Sequence, residues 1–387
     1  MKSSAYRWVV LFSLFYTFVA YAFVFQMVPP LLGVIMQEFA ITSSVQAGLL
    51  MTTVVLPGIF LAFPAGLIID RYGIRRIGII SIFLTATGSL TVASANSFAT
   101  LLLGRLILGI GSPFIVTAMP TMIPQWFPRE ERGKAMGFYS LNMPFATVAA
   151  FSTASVLMLN YGWRYPFYIS TLVAATDAVI FIFFVRDGPL KHIQQKDRHQ
   201  PKRAFANAEI WKTGAVWSLF QITVLSFLSW APKLFRDYKS LDPAYAGLLV
   251  SVIMFAAIPC VPLFGWISDQ AGKRKPFLIA GSLLVALAFN ATAYAAGSYL
   301  VFSVMLLGIV TSMVPPIVMT LPSEFLDPDV VGTGFGIMTV CGNIGSALSA
   351  PLMGFFVDVS KSLELGFLLA SMFAVFGAII AYTLRSK

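Results

Sequence analysis

Two ionisable side chains, Arg105 and Asp177, sit inside long apolar runs of this 387-residue chain. A charge in a hydrocarbon environment is expensive and ordinarily faces protein or water. The guanidinium of Arg105 suits bidentate capture of a carboxylate or nitrate-like anion, and equally a structural bond to a neighbour's backbone carbonyls. A desolvated aspartate is pushed toward neutrality, which fits Asp177 for carrying a proton. Its alternative is a packing bond to Thr176 or another neighbour. Arg105 and Asp177 are thus the candidate proton-coupling residues.

Neutral polar residues punctuate other apolar runs: Tyr16, Tyr21 and Gln26 in the first, Tyr139 and Asn142 in the fifth, Gln221 in the seventh, Thr311 and Ser312 in the tenth, Asn343 in the eleventh. Tyr21, Gln26, Arg105, Tyr139, Asn142, Gln221 and Asn343 form the candidate substrate-binding set. Taken singly, each serves as well as an interhelical hydrogen bond. The two histidines, His192 and His199, share one polar loop, and Cys260 and Cys341 lie in apolar runs. Neither a metal site, a cofactor nor a disulfide framework is expected. His-Glu-x-x-His, Gly-x-Ser-x-Gly and the phosphate-cradling Gly-x-x-x-x-Gly-Lys-[Ser/Thr] do not occur, which argues against an enzyme and an ATP-driven pump. A channel would need a repeated pore loop or charge ring, and neither is visible.

These residues must be held by membrane-spanning helices. Apolar residues make up 58% of the chain and charged residues 11%, against about half and a quarter in a soluble domain. Spans of roughly 20 residues are expected near 8–36, 46–69, 77–95, 98–124, 134–159 and 164–185. Six more follow near 211–231, 244–267, 276–296, 298–323, 332–357 and 363–384. The first run resembles a signal peptide, with Ala20-Tyr21-Ala22 as a mock cleavage site, but it continues to about Met36 and reads as an uncleaved helix. Of 26 basic residues, only Arg164, Lys233, Arg236, Lys239 and Lys361 fall in outer loops when both termini are placed in the cytoplasm, the orientation that the positive-inside rule selects. The net charge of +10 is scattered between spans, so no nucleic-acid groove is expected. The expected organisation is an N-terminal six-helix bundle (1–185), a cytoplasmic linker (186–210) and a C-terminal six-helix bundle (211–387).

The halves repeat at an offset of 199. Gly66, Asp70 and Gly73 recur as Gly265, Asp269 and Gly272; Gly109, Gly133 and Gly137 recur as Gly308, Gly332 and Gly336. Gly66 and Gly265 are expected to admit a close neighbouring helix, and Gly133/Gly137 and Gly332/Gly336 to form small-residue seams. Asp70 and Asp269 are expected to reach a facing helix N-terminus, and Gly73 and Gly272 to make tight turns. Pro57, Pro64, Pro113, Pro120, Pro259 and Pro262 permit kinks, and Pro315-Pro316 a gating bend. The offset places Tyr21 opposite position 220 and Asn142 opposite position 341, at matching depth in the two halves, as a midplane site between parallel repeats requires.

Gly66-Leu-Ile-Ile-Asp70-Arg71-Tyr-Gly73-Ile-Arg75-Arg76 resembles the loop 2–3 signature of the major facilitator superfamily. Arg105-Leu-Ile-Leu-Gly109-Ile-Gly111 is similar to its helix 4 motif, and Trp126-Phe-Pro-Arg129-Glu130-Glu131-Arg132-Gly133 to its loop 4–5 pattern. The resemblance implies an all-α membrane protein of two pseudo-symmetric bundles, working by alternating access as a secondary transporter in the plasma membrane. It also implies a conformational latch at the cytoplasmic ends, for which Gly66, Asp70, Arg71, Gly73, Arg75, Arg132, Gly265, Asp269 and Gly272 are the candidates. Gln270 replaces Arg71 in the second copy, and helix 5 offers only Asn142-Met-Pro144 where drug exporters carry a Gly-Pro-rich motif. One basic and no acidic cavity residue points to a small anionic solute, with protons as a candidate coupling ion and a monomer as the working unit. A multidrug or cationic-metabolite exporter of the same fold is the alternative.

Overall fold

The computed structural model describes residues 6–186, 201–327 and 330–385. His192 and His199 in the expected linker lie outside the described residues. Twelve stretches are long and apolar enough to cross a membrane: α1 Tyr6–Glu38, α2 Ser44–Tyr72, α3 Ile74–Ala93, α4 Phe98–Trp126, α5 Glu131–Tyr161, α6 Tyr165–Phe184, α7 Ala208–Tyr238, α8 Pro243–Ala271, α9 Arg274–Tyr294, α10 Ser298–Phe325, α11 Val331–Ser360 and α12 Leu363–Tyr382. Exposed side chains such as Phe60, Phe183, Leu287 and Phe302 form an apolar surface suited to lipid rather than water. One boundary differs from expectation. Helix α7 runs on through Pro232 to Tyr238 rather than ending near 231, its last turn π-helical. Lys233 and Arg236 both pair with Asp237 there, so the charged turn carries its own counterion and stays wound.

Prolines set the breaks. Helix α1 is interrupted at Met27, between Tyr6–Gln26 and Val28–Glu38, because Pro29 and Pro30 cannot donate to the carbonyls of Phe25 and Gln26. Helix α5 is interrupted after Tyr139 and resumes at Asn142, where Pro144 withholds a bond from Ser140. Helix α10 breaks at Ser312 and Met313, just ahead of Pro315-Pro316. The prolines within α2, α4 and α8 leave those helices continuous.

The chain forms two compact units. The first comprises Met1–Leu31 and Thr53–Gln194, and its core gathers Leu11, Ile115, Met119 and Phe181 from α1, α4 and α6. The second comprises Leu32–Thr52 and Gln195–Lys387. Its core includes Phe227, Phe289 and Phe367 with ring centroids 5.1–5.9 Å apart, Phe227 meeting the other two edge-on, a geometry that aromatic quadrupoles favour. The turn from α1 into α2 packs here too. Asp358 of α11 accepts hydrogen bonds from the backbone N–H groups of Ser44 and Val45 and from Ser43 Oγ, capping the start of α2.

Glycine contacts repeat between the halves. A Cβ on Gly109 would stand 2.5 Å from the Val54 carbonyl oxygen, and one on Gly308 would stand 2.7 Å from that of Ile253. Val54 and Ile253 are themselves separated by the same 199 residues. The glycines of the α4 motif therefore bring α4 against α2, as those of α10 bring it against α8. Gly104 meets Gly88 of α3 in the same manner. By contrast, among the described residues no atom lies within 4 Å of a Cβ built on Gly66, Gly133, Gly137 or Gly332, so these show no such close approach. Gly265 meets Pro316 at ordinary contact distance. Gly73 and Gly272 do make turns, at φ +86° and +61°.

Candidate functional site

In the first unit the break in α1 is the organising feature. Arg105 of α4 is 1% exposed, and it donates to the carbonyls of Phe25 (3.2 Å) and Val24 (3.4 Å). Phe25 O is the carbonyl that Pro29 leaves without a helical donor, so the guanidinium satisfies a polar group the helix cannot. The same guanidinium lies 5.7 Å from the Phe25 ring centroid, within cation–π range. Helix α1 then carries an aromatic ladder. Phe25 follows Tyr21 at 6.2 Å, Phe18 follows Tyr21 at 5.9 Å, and Tyr139 of α5 follows Phe18 at 5.9 Å. Tyr139 is 6% exposed, and among the described residues its hydroxyl has no hydrogen-bond partner.

Gln26 is buried and donates to Thr147 Oγ1 of α5 at 3.0 Å, while Thr147 donates to the Met143 carbonyl. The second unit repeats this bridge. Gln221 of α7 donates to Ser346 Oγ of α11 at 3.3 Å, and Ser346 donates to Gly342 O. Thr147 and Ser346 are one repeat apart, as are Met143 and Gly342. The repeat offset also matches Tyr21 with position 220 and Asn142 with position 341; neither bridging hydroxyl is in the candidate set. Their signal was present only as two hydroxyl-bearing residues at the repeat offset.

Gln221 and Asn343 line one cavity of about 140 Å³ with Trp217, Met319, Met338 and Thr339. Gly342 makes room for the Trp217 indole, whose nitrogen lies 2.5 Å from a Cβ built there. Asn142 is buried at the restart of α5. Tyr21, Gln26, Arg105, Tyr139 and Asn142 thus belong to the first unit, and Gln221 and Asn343 to the second.

Asp177 stands on another face. Its carboxylate is 2% exposed and accepts from Thr17 of α1 at 2.8 Å, not from Thr176. Thr176 instead bonds Tyr16. Two adjacent polar pairs therefore tie α6 to α1, with Thr17 also donating to Ser13 O.

The latch candidates hold local partners. Arg132 donates to Phe127 O and Pro124 O at the end of α4, where cations suit unsatisfied carbonyls. Arg75 donates to Ile182 O, and Arg71 lies over the Tyr72 ring. The side chain of Asp70 lies outside the described residues. Asp269 pairs with Arg274, the first residue of α9, at 3.0 Å, and Arg274 pairs with Glu324 of α10 at 2.6 Å. Arg7 and Glu131, the latter within the loop 4–5 pattern, form an ion pair of 2.7 Å between α1 and α5 that their sequence positions do not reveal.

The family model for the Major Facilitator Superfamily matches residues 14–239 and 231–387. A hexuronate transporter of Bacillus subtilis is 21% identical over 368 residues, covering 89% of this chain and 86% of the relative. A probable nitrate transporter of Staphylococcus carnosus is 22% identical over 370 residues, covering 94% and 92%. In fold, the chain matches a bacterial homologue of the human lysosomal transporter Spinster at a TM-score of 0.86, with 16% identity and coverage of 98% and 97%. With matches along nearly its whole length and twelve apolar helices, the chain belongs to the Major Facilitator Superfamily and is a multi-pass plasma-membrane transporter of small solutes, not an enzyme.

Proposed function

We propose that the chain is a secondary active transporter of a small organic or inorganic anion, working by alternating access. The observation that carries this reading is the Tyr139 hydroxyl, buried and without a partner. It stands on the aromatic ladder that ends at the Arg105 guanidinium. A buried donor left unpaired costs about 1–3 kcal/mol, and an oxygen-rich solute is the acceptor that relieves it. Carbonyl bonds hold Arg105 in place and leave its charge to act on a nearby anion. In the second unit, Gln221 and Asn343 line a separate cavity with neutral amides. Relatives named for hexuronate and nitrate favour the same solute class.

Asp177 we assign to adhesion between α1 and α6 rather than to proton carriage, because its carboxylate already accepts from Thr17 in a buried contact. The Lys and Arg distribution supports cytoplasmic termini, and the Asp269–Arg274–Glu324 bridge supports a latch role for that end of the second unit.

Binding to purified protein tests the reading. Monocarboxylates, dicarboxylates, sugar acids and nitrate are titrated calorimetrically against wild type and Tyr139→Phe. One anion class is expected to bind, with affinity about tenfold or more weaker in the variant, the loss of a hydrogen bond to a charged partner. Equal affinity in both proteins removes Tyr139 from the site.

A further inference from the structure

The second unit holds a larger recess away from Gln221 and Asn343. It measures about 730 Å³ and is bounded by the end of α8, the start of α9, the end of α10 and the end of α12. Four cations line it: Lys273, Arg274, Lys275 and Arg385. Two are engaged. Arg274 is held between Asp269 and Glu324, and Lys275 donates to Leu384 O at 2.8 Å and lies over the Tyr382 ring. Lys273 and Arg385 also line the recess, and their side chains make no hydrogen bond or ion pair among the described residues; the Arg385 backbone N–H donates to Glu209 Oε2 at 2.9 Å.

A second observation points to a ligand. Ser268, on the wall of this recess, is 2% exposed, and its Oγ has no hydrogen-bond partner among the described residues. Ser251 of α8 and Thr292 of α9 return to the carbonyl one turn back, at Gly247 and Ala288. Ser268 is a buried donor that its own helix does not use.

We propose that this recess binds a phosphate-bearing organic anion with glycerophosphate chemistry. Lys273 and Arg385 would neutralise the phosphate, and Ser268 Oγ would donate to one of its oxygens. The volume lies in the range of small-molecule sites, about 300–1,000 Å³, and is larger than a bare ion needs. The cations lie at the end that the basic-residue distribution assigns to the cytoplasm, where basic pockets between helices take anionic headgroups. The phosphate is supplied either by an anionic lipid or by a soluble phosphoester. The site is independent of the solute assignment above.

Full-length protein in a detergent with neutral headgroups is titrated with dihexanoylphosphatidylglycerol, dihexanoylphosphatidylcholine and glycerol 3-phosphate. Saturable binding of the phosphatidylglycerol, tighter than of the phosphatidylcholine, is expected. Lys273→Gln/Arg385→Gln, at two surface positions, is expected to weaken it roughly 30-fold, at about fivefold per cation. Ser268→Ala is expected to weaken it severalfold. Competition by glycerol 3-phosphate identifies a soluble source, and its failure to compete identifies the lipid. Equal affinity for both lipids, or binding indifferent to the double variant with an unchanged unfolding temperature, overturns the proposal.

Discussion

Arg105 and Asp177 are both buried charges, yet their surroundings give them different work. Arg105 closes the gap that Pro29 opens in α1. Arg105→Lys keeps the charge but loses the fork that reaches Phe25 O and Val24 O together. Its transport is expected to fall at least tenfold, with a modest loss of stability, whereas Arg105→Ala also leaves Phe25 O unsatisfied and costs about 2–3 kcal/mol. Initial uptake rates and thermal unfolding of both variants check this. Asp177→Asn keeps an oxygen for Thr17 and is expected to transport within about twofold of wild type, while Asp177→Leu strands the Thr17 hydroxyl and destabilises the α1–α6 contact. Loss of pH-driven accumulation in Asp177→Asn would instead make it a proton carrier. Both charges were legible in the sequence, because residue type alone marks them. A neighbour's backbone carbonyls were among the readings of Arg105, but which carbonyls was not legible. They carry no side-chain signature, and the freed carbonyl of Phe25 becomes visible only when Pro29-Pro30 is read as a break within the first span.

At the scale of elements, the spans were legible almost to their ends because a helix in lipid must be long and apolar. Only the π-helical end of α7 was missed, where charged residues pair with one another. Glycine was the less readable residue. Gly109 and Gly308 lie against helix backbones, whereas Gly66, although within the strongest motif, has open space beside it. Gly109→Ala and Gly308→Ala are each expected to cost about 1–3 kcal/mol, the usual range for overpacking, and to lower the unfolding temperature in detergent. Gly66→Ala is expected to leave it unchanged. A repeat in sequence thus reports packing at one pair of positions and not at another, and the contact decides which.

The whole molecule is twelve helices in two pseudo-symmetric halves that share a Gln-to-hydroxyl bridge, at Gln26–Thr147 and Gln221–Ser346. The central claim is that the solute is an anion recognised through Tyr139 and Arg105. Solute-driven uptake into proteoliposomes tests it most directly, with carboxylates, sugar acids, nitrate, neutral sugars and cationic dyes, each with and without a pH gradient. The account predicts saturable uptake of one anion class, with a half-saturating concentration raised about tenfold or more in Tyr139→Phe. Uptake of cations or dyes alone, unchanged by that substitution, would contradict it.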